Sequence, residues 1–175
     1  MQNRNVLFLT QAAVIAALYV AVSLPIALSG PIAFLNYGPI QFRVAEALTM
    51  LAVLTPAAIP GITIGTLLVN ILGPYGAPDM VFGTLASLLA ALCIYWLRHI
   101  QWKKLPLLSA MPPVLFNAVI IGAMIAYFFM DTFEWSNLLL FGAQVGFGQT
   151  VVVFGLGIPL VVALRKTKLL NESRI

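Results

Sequence analysis

The chain reads as long apolar runs broken by short polar or Pro/Gly-rich connections. The first run, residues 7–28, is closed by Pro25, Gly30 and Pro31, which remove backbone donors and break helical geometry. A short second run at 40–55 carries Arg43 and Glu46, and Pro56 and Pro60 mark a tight turn into a third run at 57–72. Gly73-Pro74-Tyr75-Gly76 ends that run, so the second and third form a hairpin. Asp79 opens the fourth, 79–97, at the positive end of a helix dipole. Pro112 and Pro113 precede the fifth, 114–130, and the sixth covers 138–164.

A membrane-spanning helix needs about 20 apolar residues, so 175 residues accommodate six such helices and no separate soluble domain. The expectation is an all-α, six-helix transmembrane bundle forming one domain over 1–175. Composition agrees: 62% of residues are hydrophobic and 8% charged, against about a quarter charged in soluble domains, and the mean hydropathy is +1.04. The stretch 6–29 is too long for a signal-peptide core and lacks a small-residue cleavage site, so it is read as a retained helix.

Charge then sets orientation. Of nine Lys and Arg residues, eight fall at one end of a six-span arrangement: Arg4, Arg98, Lys103, Lys104, Arg165, Lys166, Lys168 and Arg174. The opposite connections hold Asp79, Asp131 and Glu134. By the positive-inside rule the basic end is cytoplasmic, which places both termini inside, in a multi-pass protein of a prokaryotic cytoplasmic (plasma) membrane. The net charge of +4 is therefore a topology signal, with the lipid bilayer and not nucleic acid as partner. No internal repeat is visible, which disfavours a self-sufficient carrier built from inverted repeats.

Arg43 alone breaks the charge pattern. Glu46 lies three residues on, on the same face of a helix, so the two can pair as a structural ion pair or present a charge to a ligand. Intramembrane ionisable residues face protein or a watery cavity. Asn70 and Asp79 lie at a similar depth, Gln144 enters from the sixth run, and Asn117 and Gln149 lie deeper. Phe34, Tyr37, Tyr75, Tyr127 and Trp135 surround the same end. Carboxylates, amides and aromatic rings together suit a flat polar heterocycle. Each has a plainer reading: Asp79 as a helix cap, Asn70 as an interhelical hydrogen bond, Trp135 as an interfacial belt residue.

Ala12, Ala13, Ala16 and Ala17 make two overlapping Ala-x-x-x-Ala pairs on the first run, a close-packing face; Gly61 with Gly65 and Gly142 with Gly146 are read as packing within the chain. Cys93 is the only cysteine and offers neither a disulfide nor a Cys-based metal site. His99 belongs to the basic loop. No phosphate loop, membrane-embedded nucleophile paired with His, or zinc pattern occurs, so neither an enzyme, a metal nor a cofactor is expected.

Taken in order, Gln11-Ala12-Ala13, Tyr37-Gly38-Pro39-Ile40-Gln41-Phe42-Arg43-Val44-Ala45-Glu46-Ala47-Leu48, Asn70 with Gly73-Pro74-Tyr75-Gly76, Asp79 with Phe82-Gly83, Pro112-Pro113 with Asn117 and Gly122, Gln144-Val145-Gly146, and Gly155-Leu156-Gly157-Ile158-Pro159-Leu160 resemble the QueT family. These are substrate-binding S components of energy-coupling factor (ECF) transporters, assigned to salvage of queuosine precursors. The resemblance implies a subunit without its own ATPase that binds a deazaguanine-like molecule and works with a transmembrane coupling subunit and two cytoplasmic ATPases. It implies docking through Ala12, Ala13, Ala16 and Ala17, and a lid formed by 34–41. The implied ligand contacts are Phe34, Tyr37, Gln41, Arg43, Glu46, Asn70, Asp79, Asn117, Gln144 and Gln149. In the family pattern Glu often follows Gly-x-Gly in the sixth run, whereas here Gln149 follows Gly146-Phe147-Gly148. Glu46 or Asp79 would then supply the carboxylate for the base, leaving room for an altered ligand preference. The alternatives are an S component for another vitamin-like solute and a small polytopic membrane enzyme.

Overall fold

A computed structural model describes residues 4–38, 40–130 and 132–167. Pro39, Asp131, Lys168 and Arg174, which the sequence reading used, lie outside the described residues. The described chain is helical without a strand, in seven helices: α1 (Arg4–Leu28), α2 (Phe34–Tyr37), α3 (Val44–Val53), α4 (Ala58–Ile71), α5 (Gly76–Leu97), α6 (Leu108–Phe128) and α7 (Trp135–Thr167). Four of them, α1, α5, α6 and α7, are long and apolar enough to cross a membrane, while α3 and α4 are shorter apolar helices.

The departures from six equal spans have local causes. The run expected at 40–55 contracts to α3, because the chain stays non-helical through Arg43. α3 is wound as a 3-10 helix, whose rise of about 2.0 Å per residue carries its ten residues about 20 Å, further than α-winding would. α5 begins at Gly76, a turn before the expected Asp79. Pro112 and Pro113 lie inside α6 and do not precede it: a 3-10 turn at Leu108–Ala110 comes first and α-winding starts at Met111, which puts both prolines in the first α-turn, where missing N–H groups cost little.

Small residues set the helix registers. A Cβ on Gly61 would lie 2.8 Å from the Ala12 carbonyl oxygen, and one on Gly65 2.8 Å from Tyr19 Cβ, so α1 and α4 run parallel in close contact with α3 returning between them. A Cβ on Gly122 would lie 2.7 Å from Gly142 Cα, and Gly142 and Gly146 both face Ala118, which packs α6 antiparallel on α7. Gly157 sits against Met50 and Gly148 against Gln41, setting α7 parallel to α3. These directions gather the start of α1, the α5–α6 loop and the end of α7 at one end of the bundle. The Arg165 guanidinium ties that end together by donating to Lys104 O at 2.9 Å and Gln101 Oε1 at 3.1 Å. Lys103 and Lys104 both have positive φ, 49° and 67°, between the paired Trp102 and Leu105, as a tight type I′ hairpin turn requires.

Two apolar clusters fill the bundle. The larger, with Ile15, Met50, Ile62, Ile94 and Val161, joins α1, α3, α4, α5 and α7. The smaller, with Ile121, Met124, Ile125 and Val145, joins α6 to α7. Polar side chains buried nearer the opposite end form the candidate site.

Candidate functional site

The site is built on the non-helical segment that leads into α3. Phe42 and Arg43 both donate backbone N–H to Leu35 O of α2, at 2.7 and 3.2 Å. Arg43 occupies the position just before α3 with φ 25°, a left-handed conformation that non-glycine residues rarely adopt. Its Nη2 donates to both carboxylate oxygens of Asp79 at 3.0 Å, and both side chains are buried. Asn70 Nδ2 donates to the Asp79 carbonyl at 2.9 Å. Three helices are thereby joined: the head of α3, the end of α4 and the start of α5.

Glu46 does not pair with Arg43 as the i, i+3 spacing suggested. It is fully buried, and its carboxylate accepts from Tyr19 Oη at 2.7 Å, Ser87 Oγ at 3.0 Å and Thr49 Oγ1 at 2.9 Å. These three donors satisfy most of the acceptor capacity of the buried carboxyl group.

Above the ion pair, α2 forms a cover. Asn36 Nδ2 donates to Ser23 O at 3.1 Å, and Tyr75 Oη donates to Tyr37 O at 2.7 Å. The Tyr37 and Tyr75 rings meet edge to face at 5.7 Å, Tyr75 lies 4.8 Å from Phe129, and the Arg43 guanidinium is 6.0 Å from the Tyr37 ring centre. Beneath the cover a polar cavity of about 10 Å³ is bounded by Tyr19, Ser23, Asn36, Tyr37, Arg43 and Asn70. A single water needs about 10–15 Å³, so this cavity has no room for a ring-sized ligand.

The sequence-derived residues divide into groups. Arg43, Asp79, Asn70 and Glu46 come together with Tyr37. Gln41, Asn117 and Gln149 are fully buried, and Gln41 reaches α7 through its backbone contact with Gly148. Gln144 is half-buried, with Oε1 lacking a hydrogen-bond partner among the described residues. Phe34 is 58% exposed; it lies on the outer face of α2, where Asn36 and Tyr37 are the residues that turn inward. Asp79 is an ion-pair partner and not a cap. Tyr127 and Trp135 are exposed in an aromatic chain with Phe128 and Phe133, as interfacial residues are.

Tyr19, Ser23, Asn36, Thr49 and Ser87 were not read from sequence. The available signal was spacing: Tyr19 and Ser23 are four apart on one face of an otherwise apolar helix, and Thr49 is three from Glu46. Three π turns also mark the region, at Asp79–Gly83, Asn117–Ile121 and Val153–Gly157. Such turns are rare and concentrate at functional sites; two of them start at candidate site residues.

The alanine face is split. Ala12 and Ala16 are buried against Gly61 and Gly65 of α4, whereas Ala13 and Ala17 are exposed. All four border a long apolar groove completed by Phe8, Val20, Pro60 and Ile64.

A buried ion pair, a carboxylate that accepts three hydroxyls and several buried amides suit solute binding inside a membrane, and the sequence comparison agrees. The family model described as QueT transporter matches residues 9–166. The chain belongs to the QueT transporter family. It is 38% identical over 76 residues to the queuosine precursor transporter QueT of Lactococcus lactis subsp. cremoris (strain MG1363). The aligned part covers 43% of this chain and 42% of that protein, so the match spans less than half of the curated relative's length. No solved structure matches. The matching family is one of transporters, and four helices long and apolar enough to cross a membrane fit a multi-pass membrane protein.

Proposed function

We propose that this protein is the substrate-binding S component of an ECF-type importer, taking up a queuosine precursor as a deazaguanine base or a close relative. The observation that carries the reading is the buried polar cluster beneath α2, which lies inside the region matched by the QueT family. The ligand would enter from the end opposite the basic loops. It would displace α2 and lie among Tyr37, Gln41, Asn70, Asn117, Gln144 and Gln149, with Arg43, Glu46 and Asp79 as the charged framework and Phe34 closing the rim.

In this reading α3 and α4 complete six membrane-embedded segments, with both termini cytoplasmic in a prokaryotic cell membrane. The chain carries no ATPase of its own. Transport would use a transmembrane coupling subunit, docked along the exposed Ala13 and Ala17 with Ala12 and Ala16 behind them, and two cytoplasmic ATPases that drive reorientation.

The test is ligand identification on purified full-length protein. Native mass spectrometry should find a deazaguanine-type molecule bound, and adding that base should raise the melting temperature. Protection by another vitamin but by no deazaguanine would overturn the ligand, and ATP-independent uptake by the isolated chain would overturn the S-component role.

A further inference from the structure

Two complete carboxamides are buried without partners. Gln41 and Gln149 are each fully buried, and neither the Nε2 nor the Oε1 of either has a hydrogen-bond partner among the described residues. The Tyr75 hydroxyl, which donates to Tyr37 O, lies near Gln41 with lone pairs still open to a Gln41 N–H, so Gln149 is the more isolated of the two. Asn117 is also fully buried; its Nδ2 donates to Pro113 O at 2.9 Å, which leaves Oδ1 unpaired. Buried polar groups are paired in the great majority of cases, and exceptions call for an explanation. The charged residues nearby are mostly engaged: Arg43 holds Asp79, and three hydroxyls donate to Glu46.

The chain at all three amides packs along one stretch of α7. Gly148, beside Gln149, has no side chain and admits the Gln41 backbone; a Cβ there would overlap the Gln41 carbonyl oxygen and lie 2.8 Å from its carbon. Ala118, beside Asn117, faces Gly142 and Gly146, whose added Cβ atoms would lie 3.1 Å from its carbonyl oxygen and 3.2 Å from its Cβ. Asn117 also opens the π turn of α6.

We infer that this amide wall reads the ligand and that Gln149 recognises a neutral edge in which an N–H donor sits beside a C=O acceptor, the lactam edge of a heterocycle. A carboxamide offers one donor and one acceptor side by side and matches that edge in two bonds. A carboxylate accepts only and matches two adjacent N–H donors; Asp79 already holds Arg43 and Glu46 already accepts three hydroxyls, whereas the Gln149 amide has no partner among the described residues. The inference rests on the proposed ligand class and adds which edge is read and by which residue: the exocyclic amine of a guanine-like base is not what Gln149 selects.

The experiment measures binding of deazaguanine and deazahypoxanthine, which share the lactam edge and differ in the exocyclic amine, to full-length protein in detergent. The wild type should bind both within roughly fivefold of one another, since the amine adds no bond to Gln149. Gln149→Leu should weaken both by about 10–100-fold, the loss of two buried hydrogen bonds, while melting without ligand at or above the wild-type temperature because an unpaired amide is gone. Gln149→Glu should favour deazaguanine by about tenfold or more. Gln41→Met serves as a second variant, with weakened binding and an unreduced melting temperature expected. Wild-type affinity for both bases in Gln149→Leu overturns the inference and leaves the ligand class standing. So does a marked fall in the ligand-free melting temperature of both variants, which would make the amides structural. A wild type that binds neither base overturns the ligand class and the inference together.

Discussion

Arg43 and Asp79, 36 residues apart in sequence, meet through two 3.0 Å hydrogen bonds from one guanidinium nitrogen. The pair fastens the entry to α3 onto the start of α5 and holds Arg43 in a positive-φ conformation that an unrestrained Arg would leave. Breaking a buried pair by removing one partner costs about 3–5 kcal/mol, because the other charge is left uncompensated. Asp79→Leu should therefore lower the melting temperature sharply. Arg43→Met combined with Asp79→Leu should recover much of the loss, since a well-packed apolar replacement needs no counter-charge. Thermal unfolding of the two single variants and the double variant gives the coupling, and additive losses would show that the pair does not act as a unit.

Glu46 raises a different expectation, because three donors converge on it. A glutamine in its place would keep the size but replace one acceptor oxygen with an NH2 donor, facing a hydroxyl across a buried contact. Glu46→Gln should destabilise by about 1–3 kcal/mol, the range for a buried group left unsatisfied. Tyr19→Phe removes one of three donors and should cost about 1 kcal/mol. Equal stability of Glu46→Gln and wild type in the same melting assay would show that the hydroxyls do not depend on the carboxylate.

How far this site could be read in advance is decided by one local geometry. The level of Arg43, Glu46, Asn70 and Asp79 followed from the positions of polar residues within apolar runs, and the structure brings those four together. Pairing Arg43 with Glu46 assumed an α-helix from residue 40. The helix starts at Val44 and is 3-10, so Arg43 stands off the helical face and turns to α5. The donors to Glu46 were hidden because Tyr, Ser and Thr are common in apolar helices, where Ser and Thr hydroxyls often bond to their own backbone. The long runs were legible from length and apolarity alone; α3 was misjudged in extent because winding is set by packing, and apolarity does not report it.

The alanine face separates folding from assembly. Gly61→Val and Gly65→Val place branched carbons where the α1 backbone and Tyr19 already stand, and overpacking costs about 1–3 kcal/mol; both should melt lower. Ala13→Leu with Ala17→Leu changes exposed positions and should leave the melting temperature and ligand binding unchanged. If the coupling subunit docks there, co-purification of the complex should be lost in that double variant alone. An intact complex would place the interface elsewhere.

The cover over the cavity has its own measurable latch. The 2.7 Å bond from Tyr75 Oη to Tyr37 O and the edge-to-face contact of the two rings join α2 to the start of α5, and the cavity beneath has room for about one water. In the proposed binding mode, ligand entry breaks that bond. Tyr75→Phe keeps the ring contact and removes the donor, a loss of about 1 kcal/mol or roughly fivefold in the opening equilibrium. Hydrogen exchange of the α2 amides, whose carbonyl partners are Ala33 O and Phe34 O for Tyr37 and Gly38, should quicken by about that factor, while amides at the centre of α4, packed on α1 through Gly61 and Gly65, should not change. Faster exchange throughout both helices would mean that Tyr75 supports the fold as a whole. Unchanged exchange in α2 would mean that the ring stack alone keeps the cover closed.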